Sequence, residues 1–457
     1  MSNKNTADVE QQMILTGLSE QMKGDAEQLS QLSSLLFQTQ SLWKVVAFDY
    51  KDLPWKQNFP ALCDALWQID DNEIEAIDTC SNTLVARLLP YLIKDYKAQH
   101  NETLIPLLTL LDDDINKTVA KTSSGLCSAP QPVNPTITET EMSHFNAGIK
   151  ARKWQQIRRF TQKVFVPKDN LPVLEWCAGK GYLGRWVAKS QQVPVTSLEW
   201  QKSLCEQGRI FAQKWQLPQQ FICADAFAPI ELNNEQSAIK KHQHAIALHA
   251  CGDLHVRLLT LASKVGTQQI SISPCCYHLI EHQYYQALST VAQDSRLQLS
   301  RHDLQLPLQQ SVIANRKQND LRKKEIAWRL GFDCLQRDIN QVDRYLPIPT
   351  IKQSQLSGRF SDFCLWAAEQ KNVPLTKNIL NEAQYQDYLQ QGLSRQKVTQ
   401  RIDLVRHLFR HPIEQWLLLD RVCFLQQHGY QVELSEFCSE DITPRNALIH
   451  AKKVDLV

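Results

Sequence analysis

The sequence lacks any long hydrophobic run. No window approaches the roughly 18 consecutive apolar residues that a membrane-spanning helix needs, so we expect no membrane span. The first ten residues, M-S-N-K-N-T-A-D-V-E, also lack the basic-then-apolar pattern of a secretion signal. Both absences predict a cytoplasmic protein. Its 13 cysteines are then expected to be reduced thiols rather than disulfide partners.

The chain as a whole also lacks a strong net charge, since it carries only +2. This balance conceals an asymmetry. Residues 1–115 hold 8 Lys and Arg against 18 Asp and Glu, whereas the remaining residues hold 42 against 30. The basic part after residue 115 is a candidate contact for RNA, because cations neutralise a phosphate backbone. The acidic part is a candidate surface for a protein partner.

The length of 457 residues predicts more than one domain. Apolar spacing and composition divide the chain into an acidic α-helical N-terminal domain (1–120), a linker rich in Ser, Pro and Thr (121–145), a core (146–280), a mostly helical insertion (281–410) and the end of the core (411–457). Within the core, the basic amphipathic segment Asn146–Lys168 has two interpretations. It is either a packing helix with a solvated face or a wall of the active site.

Strands alternate with helical patterns after residue 170. The predicted strands are Val173–Trp176, Val195–Glu199, Phe221–Ala224, His244–Leu248, Gln269–Ser273, Tyr430–Glu436 and Ala447–Lys453. The alternation of the first five predicts a parallel, doubly wound sheet. The last two are close enough in sequence to form an antiparallel pair. The fold class is therefore α/β, a Rossmann-like seven-stranded sheet.

The first strand runs into a glycine turn, V-L-E-W-C-A-G-K-G-Y-L-G-R (Val173–Arg185). Gly179, Gly181 and Gly184 match G-x-G-x-x-G, and such a turn lets backbone N–H groups approach a nucleotide-like ligand. Glu199 ends the second strand, 20 residues after Gly179. An acid there binds ribose hydroxyls in NAD enzymes and in methyltransferases alike, so this pattern leaves both classes open.

Two further acids favour one class. Glu175 precedes the turn, where a carboxylate can take the ammonium group of S-adenosylmethionine, which NAD lacks. Asp225 ends the third strand, where an acid is expected near the adenine amino group. We assign Ala178 and Ala226, which adjoin Gly179 and Asp225, to the same cofactor site. The predicted cofactor is S-adenosyl-L-methionine.

Two loops rich in Cys and His follow the fourth and fifth strands, H-A-C-G-D-L (His249–Leu254) and S-P-C-C-Y-H (Ser273–His278). Both lie at the same edge of the predicted sheet as the glycine turn, so His249, Cys275, Cys276 and His278 are the candidate catalytic residues. The alternatives are small cysteines packed behind the cofactor, proton removal or substrate binding by either histidine, and a cysteine nucleophile.

Zinc is a further alternative, with Cys251, Cys275, Cys276 and His278 as ligands. Because adjacent cysteines suit a tetrahedral site less well than C-x-x-C does, no metal is predicted.

Together, G-K-G, H-x-C-G-D-L and P-C-C-Y-H resemble the methyltransferase domain of the glutathione-S-transferase C-terminal domain-containing protein and related methyltransferase-like proteins. The domain of a eukaryotic tRNA ribose 2′-O-methyltransferase is similar. The resemblance covers residues 145–290, and I-T-P-R-N (Ile442–Asn446) extends it. It implies the class I strand order 3-2-1-4-5-7-6. No Cys/His zinc finger like that of the tRNA enzyme occurs in the first 145 residues.

The sequence thus predicts an S-adenosylmethionine-dependent methyltransferase that modifies RNA, either tRNA or rRNA. Three other functions remain open. One is an NAD-dependent oxidoreductase, which the glycine turn permits. Another is a non-catalytic RNA-binding or adaptor protein with a degenerate methyltransferase fold. The last is a protein methyltransferase that recruits a basic partner through its acidic region.

Overall fold

The computed structural model describes residues 2–112, 139–165, 170–229, 237–309, 316–377 and 379–454. Most of the predicted linker 121–145 lies outside these ranges. In the part of the chain described, no helix combines the length and apolar character needed to cross a membrane.

Seven strands form one sheet: β1 (Val173–Trp176), β2 (Val195–Glu199), β3 (Gln219–Cys223), β4 (His244–Cys251), β5 (Gln269–Cys275), β6 (Tyr430–Glu436) and β7 (Ala447–Lys453). Their order is β3-β2-β1-β4-β5-β7-β6. The first five strands pair in parallel, and β7 runs antiparallel to both β5 and β6. The predicted α/β class and strand order are confirmed.

The helices are α1 (Ser2–Gln38), α2 (Gln40–Trp43), α3 (Pro60–Gln68), α4 (Ile74–Thr79), α5 (Ser81–Ala98), α6 (Ile105–Leu108), α7 (Glu139–Phe145), α8 (Ala151–Val164), α9 (Tyr182–Gln191), α10 (Lys202–Lys214), α11 (Asp253–Val265), α12 (Thr290–Gln293), α13 (Arg316–Asn340), α14 (Phe360–Lys371), α15 (Glu382–His407) and α16 (Arg410–Gln427). Short 3-10 turns cover Ala47–Asp49, Glu102–Leu104, Thr109–Leu111, Asp303–Leu308 and Gln353–Ser357.

Two apolar layers sandwich the sheet. All four residues of β1 are buried, and successive side chains of a strand point to opposite faces. On one face Val173 packs in a cluster with residues of α8 and α9, among them Trp154 and Trp186. On the other face Leu174 packs in a cluster with residues of α11 and α16. Burial on both faces explains why the central strands read as nearly continuous apolar runs.

The described residues of 1–34, 115–308 and 413–457 form one compact unit, which contains the whole sheet. Most of the N-terminal helix α1, up to residue 34, is part of this unit. The Gln21 side chain donates a hydrogen bond to the carbonyl of Val432 at 2.9 Å, and the indole of Trp416 donates to the hydroxyl of Ser33 at 2.8 Å. The first part of the predicted N-terminal domain therefore packs with the sheet.

The described residues of 35–114 and 309–412 form a second compact unit, which is helical. The guanidinium group of Arg401 donates to the carbonyls of Leu66 and Ile69 at 3.0 and 2.8 Å. At its centre the buried Asp333 accepts hydrogen bonds from Arg337 and Arg395. Two regions that the sequence assigned to different domains, the N-terminal helices and the insertion, thus share one core. Their contacts join residues far apart in the chain, which local patterns do not report.

Candidate active site

The glycine turn after β1 contains three left-handed residues: Cys177, Gly179 and Gly181 have φ angles of 55°, 59° and 69°. At Gly179 a Cβ atom would meet no heavy atom within 4 Å, so the space in front of its backbone is open. Gly181 and Gly184 differ, because their missing Cβ atoms leave room for packed side chains of the sheet. A Cβ at Gly181 would lie 2.5 Å from atoms of both Gln219 and Phe221. Gly179 is thus the position where a ligand can approach the backbone.

Glu175 is buried between β2 and the first turn of α9. The Ser197 hydroxyl donates a hydrogen bond to its Oε2 at 2.6 Å, and a Cβ at Gly184 would lie 2.3 Å from the same oxygen. Burial raises the pKa of Glu175 to about 7, although Ser197, the Gly184 N–H and the nearby cations Lys153 and Arg185 favour the charged form. Its predicted contact with the ammonium group of the cofactor stays a prediction.

Glu199 joins the end of β2 to the turn. Its Oε2 accepts a hydrogen bond from the Gly179 N–H at 2.9 Å, and its Oε1 accepts one from the Gln201 N–H at 3.0 Å. A carboxylate has about four acceptor positions, so both oxygens retain capacity for hydroxyl donors. Glu199 is thus in direct contact with the glycine turn, and its predicted contact with the ribose hydroxyls stays a prediction.

Asp225 lies at the end of β3, next to the carboxyl end of β2, and is exposed. Its Oδ1 accepts a hydrogen bond from the Phe227 N–H at 2.9 Å, while Ala226 is buried between them. Sequence reasoning missed two exposed aromatic rings at the same edge, Trp200 at 69% and Phe227 at 51% exposure. Trp200 directly follows the strand-end acid Glu199, and Phe227 comes two residues after Asp225. An aromatic residue just after a strand-end acid is the sequence signal that could have identified both rings.

The two Cys/His loops are tied together at Gly252. Its φ of 56° and ψ of −129° lie in a region that only glycine adopts easily, and a Cβ there would lie 1.9 Å from the carbonyl oxygen of Leu279. The Gly252 and Asp253 N–H groups donate to the carbonyls of Cys275 and Leu279 at 3.1 and 3.0 Å. H-A-C-G-D-L and P-C-C-Y-H therefore form a single structural unit at the edge of the sheet.

This unit brings three thiols together. The Sγ atoms of Cys251, Cys275 and Cys276 all lie within 4.8 Å of one another. Hydrogen bonding from Cys275 lowers the pKa of Cys251 to about 6, and the same contact raises that of Cys275. Cys275 is also buried, and a buried thiol with a raised pKa is a poor nucleophile. The group with thiolate character is Cys251, which the sequence did not single out as catalytic.

His249 and His278 occupy different environments. His249 has a φ of 71° and lies at a register shift between β4 and β5, and its Nε2 is 2.9 Å from Gln156 Oε1 on α8. Burial, together with the nearby cations Lys153 and Arg445, lowers the pKa of His249 to about 4. It is therefore neutral at physiological pH. His278 is half-buried, and its Nδ1 has no hydrogen-bond partner among the described residues.

Helix α8 packs into the core, as one interpretation of its sequence predicts, and it also contacts one of the Cys/His loops. Trp154, Ile157 and Phe160 are buried in the core. Its opposite side meets the site, since Gln156 contacts His249 and the side chains of Arg152 and Gln156 donate to the carbonyl of Ile442. The exposed residues Lys150, Arg152, Lys153 and Arg159 give this wall a positive charge.

Comparison with known proteins agrees with this geometry. Residues 152–283 match a family described as a methyltransferase domain. Similar solved structures include an rRNA methylase from Streptococcus thermophilus (12% identity, 28% of this chain and 71% of that chain, TM-score 0.20). Others are magnesium protoporphyrin IX methyltransferase from Synechocystis PCC 6803 with bound S-adenosylhomocysteine (13%, 36% and 70%, 0.22) and coclaurine N-methyltransferase bound to N-methylheliamine and S-adenosylhomocysteine (13%, 87% and 100%, 0.25).

TM-scores of this size do not establish a shared fold. The assignment of the fold and of a methyltransferase domain rests on the strand order and on the domain match. The prediction of a methyltransferase domain is confirmed.

The raised pKa of Glu175 predicts a pH-dependent stability. Between pH 4.5 and 7 the unfolded carboxyl loses its proton while the folded one keeps it, so stability falls as pH rises. Glu175→Gln removes this loss. We expect its free energy of unfolding, relative to wild type, to rise by about 2 kcal/mol or more between pH 5 and pH 8. Urea unfolding at both pH values measures it.

Glu206→Gln, at an exposed position on α10, is the control and should differ from wild type by the same amount at both pH values. If the unfolding free energy of Glu175→Gln differs from that of wild type by the same amount at both pH values, the raised pKa of Glu175 is contradicted.

Gly252→Ala should unfold the loop unit. Left-handed strain and overlap with the Leu279 carbonyl together predict a loss of at least about 3 kcal/mol in unfolding free energy. Gly266→Ala is the matched control, because Gly266 also has a positive φ of 72° but has no atom within 4 Å of a Cβ. It should lose only about 1 to 2 kcal/mol. Equal losses in the two variants would show that the backbone contact at Gly252 does not matter.

Proposed function

We propose that this protein is an S-adenosylmethionine-dependent methyltransferase that acts on RNA. The observation that carries the cofactor assignment is the open, left-handed backbone of Gly179, whose N–H group is held by Glu199 at 2.9 Å. In this proposal Glu199 binds the ribose hydroxyls and Asp225 binds the adenine amino group. The exposed rings of Trp200 and Phe227 can pack against the adenine.

The sheet favours a methyltransferase over an NAD-dependent oxidoreductase. Dinucleotide-binding sheets of this kind have the parallel order 3-2-1-4-5-6. Here the antiparallel strand β7 lies between β5 and β6. Asp225, just after β3, supports the same choice, because an acid near the adenine amino group is expected in the S-adenosylmethionine site.

The chain's own residues make the carboxyl ends of the strands polar, with Glu199, Asp225 and His249 there. S-adenosylmethionine supplies an activated methyl group when bound, so the protein must mainly orient an acceptor and exclude water. His249 is neutral and is fixed by Gln156, which suits it to accept or donate a hydrogen bond to an acceptor. Cys251 and Arg445 border the same edge.

Three observations support RNA as the acceptor. The chain after residue 115 is basic. The exposed cations of α8 lie beside the Cys/His loops. The loop motifs resemble those of the methyltransferase-like proteins and of the tRNA ribose 2′-O-methyltransferase. Lysine and arginine at the mouth of a cleft attract a phosphate backbone without selecting a sequence. We also propose that the acidic N-terminal residues bind a protein partner.

Titration of the full chain with S-adenosylhomocysteine and with NAD tests the cofactor. We expect calorimetry to detect binding of S-adenosylhomocysteine only. Glu199→Gln should weaken it by about 10- to 100-fold, because a charged hydrogen-bond acceptor is lost. Glu206→Gln, an exposed acid on α10, should bind like wild type. Binding of NAD alone would overturn the proposal.

The acceptor is tested by mass spectrometry of modified nucleosides. We expect one methylated nucleoside of tRNA or rRNA to disappear from a deletion strain. Wild type should restore it, and Glu199→Gln should not restore it fully. If the nucleosides are unchanged while S-adenosylhomocysteine still binds, the acceptor is a protein or a small molecule. If Glu199→Gln restores the phenotype but not the nucleoside, the protein acts without catalysis.

A further inference from the structure

The three clustered thiols have a geometry that ordinary packing does not require. Among the described residues, Cys251, Cys275 and Cys276 are the one group of three or more Cys, His, Asp or Glu whose ligand atoms converge closely enough for a metal ion. The Sγ atoms of Cys251 and Cys275 are 3.5 Å apart. Most other described cysteines, such as Cys205, Cys364 and Cys423, are buried without such a cluster.

The backbone explains how adjacent cysteines can share one centre. Neighbouring residues of a strand point to opposite faces, which is the objection to Cys275 and Cys276 as a ligand pair. Strand β5 ends at Cys275, and Cys276 adopts a left-handed φ of 50°. This turn brings both Sγ atoms to the same side. A positive φ is uncommon for a residue other than glycine.

The backbone around Cys251, at the end of β4, is constrained as well. The register of β4 against β5 shifts between Leu248 and Cys251, and the shift places Cys251 beside Cys275. A bulge of this kind redirects a side chain at the edge of a sheet. Gly252 then fixes the loop against the carbonyl of Leu279. The three thiols are therefore held in place by backbone geometry rather than by side-chain packing alone.

The cluster is accessible and lies beside the cofactor turn. Cys251 and Cys276 are half-buried, and only Cys275 is buried. Cys251 interacts electrostatically with Cys177 of the glycine turn, and Arg445 is a cation close to both Cys251 and Cys276. An ion can enter from the cleft, and Arg445 can offset the negative charge of three thiolates. His278 is not part of the convergent group in the described chain.

We propose that Cys251, Cys275 and Cys276 bind one Zn²⁺ ion through three thiolates and leave its fourth position open to the cleft. Zn²⁺ prefers four tetrahedral ligands and binds thiolate sulfur readily, and three protein ligands with an open position are typical of reactive rather than structural zinc. The fourth ligand is then water or an atom of a molecule in the cleft. This site is independent of the acceptor proposed above.

The first test measures metal in the full chain. Protein purified under reducing conditions without chelator should hold about one zinc per chain by elemental mass spectrometry. Co²⁺ added to metal-free protein should give a near-ultraviolet thiolate-to-cobalt charge-transfer band, with an intensity that corresponds to three thiolates. The band reports ligand number in the wild-type protein, so this test does not depend on variants that fold poorly.

Variants identify the ligands. Cys251→Ser, Cys275→Ser and Cys276→Ser should each weaken zinc binding by at least about 100-fold, since changes outside the ligand shell already cost 10- to 100-fold. Cys438→Ser, at another half-buried cysteine of the same compact unit, should bind zinc like wild type. Circular dichroism and binding of S-adenosylhomocysteine establish that each variant is folded.

Two results would overturn the proposal. One is reduced, folded wild-type protein that retains no zinc and gives no cobalt band. The other is a disulfide between Cys251 and Cys275, found by alkylation and mass spectrometry of protein that binds no metal. Because S-adenosylhomocysteine binding is measured on the same samples, wild-type protein that binds S-adenosylhomocysteine but no zinc refutes the metal site alone. Wild-type protein that holds zinc but does not bind S-adenosylhomocysteine refutes the proposed function alone.

Discussion

The parallel alignment of β1, β2, β3, β4 and β5 is the constraint on which the site depends. Parallel strands end at the same edge, so every residue just beyond a strand end meets its counterparts from neighbouring strands. The pairings of Glu199 with Cys223 and of Cys251 with Cys275 are direct consequences of this register. A slip of one residue in either pair would turn the functional side chains to the opposite face.

The same constraint explains why several charged and reactive groups are buried. Glu175 belongs to a strand covered on both faces, and it is stabilised there by Ser197 and by the N-terminal turn of α9. Cys275 is buried where the loops after β4 and β5 are tied together at Gly252. Burial shifts the pKa values of these groups in the direction of their neutral forms. Cys251 is the exception, since neighbouring thiols donate hydrogen bonds to it.

Much of this arrangement could be predicted from the sequence, because the central strands are apolar runs bounded by turn residues. The limits of β1, β2, β6 and β7 agree with prediction residue for residue. Strands β4 and β5 extend beyond it, since the bulge at His249 allows pairing to resume at Cys251. The sequence predicted that Cys275 and Cys276 lie at the same edge of the sheet, but not the left-handed conformation of Cys276, because such a conformation in a residue other than glycine leaves no sequence signal. Trp200 and Phe227 were missed because exposed aromatics do not contribute to a periodic pattern.

The helical unit built from residues 35–114 and 309–412 has a consequence for how the chain is made. Its two halves are separated by residues 115–308, so its core closes only after the second half has been synthesised. At about 5–20 residues per second, synthesis from residue 114 to residue 412 takes about 15 to 60 s. During this interval the carbonyls of Leu66 and Ile69 lack the Arg401 guanidinium group that donates hydrogen bonds to them in the folded protein. The two halves of this unit can therefore pack together only after residues 309–412 have been synthesised, and the long closing loop makes this a slow, non-local folding step.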